Sequence, residues 1–113
     1  MEPFALVVSE VEQDAAGAVD GRSSRRVRAV GELDMSSAAE LTSCLDALID
    51  DGATLVSVDA SDVTFLDSTG LRVLVDASVR LEQVGGVLVI DPMSNGVHRV
   101  LEITGLLDRY RPR

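Results

Sequence analysis

Residues 26–33 alternate in character: Val27, Ala29 and Leu33 fall between Arg26, Arg28 and Glu32, the period of two expected of a strand with one solvated face. The valine-rich stretch 4–11 predicts a partner strand. Between them, the polar, glycine-containing residues 12–24 predict a hairpin loop joining an antiparallel pair. Beyond Asp34 the spacing lengthens to threes and fours. Ala38, Leu41, Leu45 and Leu48 predict a helix, with Ser37 and Glu40 at capping-box spacing and Gly52 placed to end it in a left-handed conformation. Residues 55–58 and 63–66 are short apolar strand segments. A second helix is expected over 69–83, with Leu71, Leu74, Val75, Ser78 and Leu81 along one stripe, stopped by Gly85-Gly86. Residues 87–90 form an uninterrupted apolar run that predicts a strand buried on both faces. Pro92 then interrupts the chain. A third helix over 94–104 turns Val97, Val100 and Leu101 inward and ends at Gly105, and the polar tail 109–113 is expected to fray.

Strand, strand, helix, strand, helix, strand, helix predicts an α/β fold: a four-stranded mixed β-sheet packed against α-helices, with parallel neighbours wherever a helix crosses over. The 113 residues suit one domain with one core. An open α/β sheet places its working groups outside the carboxyl ends of its strands, so Asp34 and the turn from Asp67 to Gly70 are expected on one rim.

The segment Asp62-Val63-Thr64-Phe65-Leu66-Asp67-Ser68-Thr69-Gly70-Leu71 runs an apolar strand straight into hydroxyls and a glycine that open an amphipathic helix. A helix start leaves about four backbone N–H groups without intrahelical partners and favours negative charge. A serine there can carry a covalent phosphate beside ready donors, and about two added negative charges would change the local surface. The same residues also suit plain capping, a frequent role of Ser and Asp.

Charge and composition narrow the chemistry. The net charge of −9 opposes a nucleic-acid partner, and Phe4, Phe65 and Tyr110 are too few to stack single-stranded bases. All ten basic residues are arginines, which excludes a GK[ST] phosphate loop and Schiff-base chemistry. One cysteine, Cys44, and one histidine, His98, cannot build a disulfide framework or a Cys/His zinc site. No apolar stretch approaches the roughly 20 residues of a membrane span, and residues 4–8 are too short for a signal sequence. A cytoplasmic protein without membrane insertion is expected.

Asp34, Asp59 and Asp67 each fall near an expected strand end, which raises a carboxylate cluster for magnesium or acid/base work beside the simpler role of solvating strand ends and capping helices. Neither Ser68 nor Ser94 sits in a G-x-S-x-G elbow, and Cys44 among Leu41, Leu45 and Leu48 suits a small buried hydrophobe. Arg22, Arg25, Arg26 and Arg28 form the one basic cluster, which offsets nearby acidity or offers a weak surface for an acidic partner or lipid head group.

Four features occur in order: Gly31-Glu32-Leu33-Asp34 after the second strand, the segment from Asp62 to Leu71, Gly85-Gly86 before the last strand, and Pro92 followed by Val97, Leu101 and Thr104-Gly105-Leu106. Together they resemble the STAS domain family, and within it the bacterial anti-sigma-factor antagonists, over nearly the whole chain. The resemblance implies one STAS domain over residues 1–113. It implies that Ser68, matching the first hydroxyl residue after the family's aspartate, is phosphorylated by an anti-sigma factor that is also a serine kinase. The unphosphorylated chain would bind that partner and free a sigma factor, phosphorylation would break the complex, and a PP2C-type phosphatase would reset it. ATP would belong to the kinase, so the chain needs no catalytic residue, cofactor or metal of its own. Asp34, Met35 and Ser36, with Asp67, Ser68, Thr69, Gly70 and Leu71, are the expected docking surface. Thr69 is expected to help cap the helix and Asp34 to orient the serine. The chain departs from the usual pattern in its long stretch 12–25, and in Thr69, where a second serine or another small residue is common; this leaves Ser68 or Thr69 as acceptor. Two other roles fit the same resemblance: scaffold of a stress-signalling assembly, or accessory subunit of a lipid-transport ATPase. A phosphate-handling enzyme using Asp34 and Asp67 is the third.

Overall fold

The computed structural model describes residues 5–7 and 24–112. Its elements are β1 (Ala5–Val7), β2 (Ser24–Leu33), α1 (Ala38–Asp50), β3 (Leu55–Leu66), α2 (Ser68–Gln83), β4 (Val87–Met93), α3 (Asn95–Thr104) and α4 (Leu107–Tyr110). This is the expected order with one short helix added. The strands lie side by side in chain order, β1 antiparallel to β2, and β2, β3 and β4 mutually parallel. Most of the expected first strand and of the loop 12–25 lies outside the described residues, while Ser24 and Arg25 belong to β2.

Alternation along β2 puts Val27, Ala29 and Leu33 in the core, as the spacing predicts. Leu41, Leu45 and Leu48 of α1, and Leu74, Ala77, Ser78 and Leu81 of α2, are the buried stripes of their helices. Arg80 of α2 pairs with Asp46 and Asp50 of α1, tying the two helices together across their exposed sides. Cys44 is half-buried and packs against the core. Gly52 and Gly105 end α1 and α3 at φ 95° and 77°, as expected.

The segments 55–58 and 63–66 are not separate strands. They are the two ends of one continuous β3, which spends twelve residues where β2 spends ten. Two register shifts absorb the difference: Arg28 pairs with Asp59 but Val30 with Asp62, and Gly31 pairs with Val63 but Glu32 with Phe65. At each bulge two successive residues face outward, so Ser61 and Asp62, then Thr64 and Phe65, are exposed while Val63 and Leu66 stay inside. The alternation therefore breaks without the strand ending.

Three other expectations change. β4 is an edge strand, with Leu88 and Ile90 inward and Val87 41% exposed, so it is buried on one face only. Pro92 does not end it, because Pro92 falls in an irregularity between the Val58–Ile90 and Ala60–Met93 pairs, on an edge where a missing N–H is tolerated. The tail does not fray at Tyr110: α4 buries that ring completely, and Arg109 pairs with Glu82 of α2 at 2.7 Å.

Candidate functional site

Leu33 and Leu66 are register partners at the carboxyl ends of β2 and β3, so the chain leaves the sheet side by side at Asp34 and Asp67. The Asp67 N–H donates to the Leu33 carbonyl at 3.2 Å, stitching the two exits together. The expected rim therefore exists. The two one-residue bulges shift the register by two in all, so Leu66 keeps the inward phase of Val56 and Val58, and the shift sets which residue of β3 stands beside Leu33 where Asp67 emerges.

Each exit is organised by its own aspartate. Asp34 Oδ1 accepts from the Ser36 N–H at 2.9 Å and from the Ser36 hydroxyl at 2.6 Å, closing a tight turn. These bonds, the hydroxyl's first, hold the Asp34 carboxyl below its ordinary pKa. Asp67 is the N-cap of α2, its Oδ1 accepting from the Gly70 N–H at 2.9 Å. Neither carboxylate is bonded to the other, and Asp34 is bonded to Ser36 rather than to Ser68. The structure thus brings the two loops together but does not assemble their carboxylates into an acid/base pair. Asp59 leaves the rim altogether. It sits mid-strand, where partial burial, which opposes ionisation, is outweighed by the Ser61 hydroxyl and amide and by Arg26 and Arg28, keeping its pKa low.

Two residues expected to cap helices do not do so. Ser37 forms no side-chain cap with α1, and Glu40 is exposed. Instead Ser37 is buried, 2% exposed, and its hydroxyl donates to the Glu32 carbonyl at 2.8 Å and accepts from the Asp34 N–H at 3.0 Å. It braces the first loop from beneath. Thr69 is exposed within the first turn of α2, where Asp67 already fills the capping role, so Thr69 is not the cap.

The remaining site residues divide by depth. Ser68 opens α2 with its side chain exposed, and among the described residues its hydroxyl has no hydrogen-bond partner. Met35 is 78% exposed, and Ser36 is exposed beside it. Leu71 packs partly against the core, and Gly70 is buried. Gly70 has to be a glycine: a Cβ there would collide with the Leu33 carbonyl oxygen and lie 2.9 Å from Leu33 Cβ. Close approach of α2 to the end of β2 is thus a property of this one residue. Phe65, 48% exposed two positions before Asp67, adds a second apolar side chain near Met35's rim that periodicity alone does not single out. The first turn of α3 also reaches this edge: the Ser94 N–H donates to Ala60, and Gly96 lies against Thr64. By contrast, a cavity of about 370 Å³ lined by Arg26, Leu55, Val87 and Arg109 lies at the amino ends of the strands, away from the rim.

The Ser36 hydroxyl offers a test of this geometry. Because the folded-state pKa of Asp34 is depressed, the contribution of its turn to stability is present above the unfolded-state pKa. It is lost as pH falls through the folded value. Ser36→Ala removes the largest cause, so the Asp34 midpoint is expected to move up toward the ordinary carboxylate value in an NMR titration of the side-chain carboxyl. An unmoved midpoint would contradict the turn described here.

The STAS domain profile matches residues 20–112, more than half of the chain, and takes in both loops of the rim. The chain belongs to the STAS family. Among proteins similar to it is the anti-sigma-B factor antagonist of Bacillus subtilis, 37% identical over 83 residues, covering 74% of this chain and 75% of that protein. The anti-sigma-B factor antagonist of Staphylococcus aureus is also 37% identical, over 82 residues, covering 73% and 76%. A solved anti-sigma factor antagonist from Mycobacterium paratuberculosis superposes with a TM-score of 0.72 at 26% identity, covering 98% of this STAS chain and 87% of its own. Unphosphorylated SpoIIAA, an anti-sigma factor antagonist, superposes with a TM-score of 0.75 at 21% identity, covering 93% and 84%, and shares the fold. Among the described residues of this STAS domain, no helix is long and apolar enough to cross a membrane. No group of three His, Cys, Asp or Glu side chains converges there either.

Proposed function

We propose that this STAS domain is an anti-sigma-factor antagonist whose partner binding is switched off by phosphorylation of Ser68. The observation that carries the reading is Ser68 itself. It is exposed and without a partner among the described residues, one position after a capping aspartate, on a rim shared by two strand exits. The names of its 37%-identical relatives support the partner class. In this reading the unmodified rim docks on an anti-sigma factor with serine-kinase activity, in the cytoplasm, and a sigma factor is released. Met35 and Phe65 supply exposed apolar surface to the contact, and Asp34, Ser36, Asp67, Thr69, Gly70 and Leu71 supply its shape. ATP and the catalytic groups belong to the kinase. A PP2C-type phosphatase restores the unmodified state. Residues 1–113 act as one STAS unit.

The switch has a physical basis. A phosphate adds about two negative charges to a chain already at −9, next to Asp34 and Asp67, on a surface that must be desolvated for docking. Affinity capture from the protein's own cells tests the assignment. Wild type and Ser68→Ala are expected to retain a kinase-type anti-sigma factor that Ser68→Asp loses. Partners indifferent to both substitutions would overturn the switch and favour a scaffold or transporter-subunit role.

A further inference from the structure

Ser68 and Arg72 stand one helical turn apart on α2, at the i and i+4 positions that share a face. Helical side chains lean toward the amino end, so a long side chain at position 72 covers the turn that contains Ser68. In the unmodified chain Arg72 points the other way. Its Nε lies 3.8 Å from Asp76 Oδ2, a single contact between side chains that are 82% and 67% exposed. That pair has its cation amino-terminal to its anion, the weaker of the two orientations on a helix. No other basic residue occupies the first two turns of α2.

A phosphate on Ser68 would reverse each of these terms. It carries about twice the charge of Asp76, presents three acceptor oxygens that suit the two-pronged guanidinium, and places the anion amino-terminal to the cation. The nearby carboxylates cannot help hold it. Asp67 faces the Gly70 N–H, Asp34 faces Ser36, and both repel the new charge. We infer that Arg72 exchanges Asp76 for the Ser68 phosphate, clamping it against the first turns of α2, an inference that rests on the phosphoswitch reading above. Arg72 is a positioning residue in this scheme. It leaves the unmodified serine alone and engages only the phosphorylated form, so a phosphate paired by its own chain is a poorer ligand for arginines of a docking partner.

The test uses full-length chain with phosphoserine incorporated at position 68 during translation, so it needs no kinase, and follows the phosphate by ³¹P NMR from pH 4 to 8. The second ionisation of the phosphate is expected about 0.3 pH lower in wild type than in Arg72→Ala, from the size of an i,i+4 ion pair and the free energy per pH unit. Arg72→Lys is expected to fall between them, and about 1 M salt to erase the difference. Superimposable titrations of all three chains would overturn the clamp. Equal melting temperatures of the unmodified variants separate this from a folding effect. The two proposals fail separately: an unmodified Ser68 in cells would overturn the phosphoswitch while leaving the titration result standing.

Discussion

Ser68→Asp is expected to weaken binding of the anti-sigma partner about a hundredfold or more while leaving the free chain at least as stable as wild type. The two halves of that expectation have different causes. In the free chain, a carboxylate in the first turn of α2 meets unpaired backbone N–H groups and the positive end of the helix, which stabilises by about 0.3–1 kcal/mol. In the complex, the same carboxylate is desolvated between Asp34 and Asp67. An uncompensated charge buried this way costs about 3 kcal/mol or more, and each 1.4 kcal/mol is about tenfold in affinity. Ser68→Ala removes only a hydroxyl without a partner among the described residues, so its affinity is expected within about threefold of wild type. Calorimetric titration of partner into each variant, with melting curves of the free chains, checks both halves. A Ser68→Asp chain that binds as wild type does, or that loses binding because it has unfolded, would contradict the electrostatic account.

Gly70→Ala is expected to lower the melting temperature by about 10 °C, although the same exchange inside a helix ordinarily stabilises. Alanine gains about 0.5–1 kcal/mol over glycine in a helix interior. At position 70 that gain is overwhelmed, because the added methyl has nowhere to go except into the Leu33 backbone. Overpacking of this kind costs about 1–3 kcal/mol or more, and for a domain of this size each kcal/mol is about 4–8 °C. Relief would require α2 to move off β2, which breaks the bond from Asp67 to Leu33 and shifts the loop that begins at Asp34. Partner binding is therefore expected to fall along with stability. Gly96→Ala in α3 is the control. Its methyl would find its nearest neighbour, the Thr64 carbonyl oxygen, at an ordinary 3.9 Å, so the same substitution there is expected to raise stability. Equal shifts of the same sign at both glycines would refute the packing argument.

Local chemistry was the most legible part of this chain. The junction from Leu66 to Leu71 declared itself because cap, hydroxyls, glycine and helix stripe are contiguous, and the structure places them as the spacing implies. The shared rim followed from parallel topology alone. What escaped was set by partners distant in sequence. The bulges of β3 exist relative to β2, so the outward pair at Ser61–Asp62 looks like a gap between two strands, and the outward pair at Thr64–Phe65 is hidden inside an apolar segment, until both strands are seen together. Ser37 has the spacing of a capping box, yet its hydroxyl is drawn instead to Glu32 and Asp34 beneath the loop. Tyr110 sits in an arginine-rich, polar tail, and only its packing within the folded chain explains its burial. The apolar run 87–90 announced a strand correctly but not its place at the edge, which depends on strand order.

Whether Ser68 is the switch is decided by phosphosite mapping by mass spectrometry on the protein purified from its own cells, before and after treatment with a PP2C-type phosphatase. Phosphate on Ser68 that the phosphatase removes is expected. Phosphate found mainly on Thr69 or Ser36, or a Ser68 that is never modified, would contradict that role.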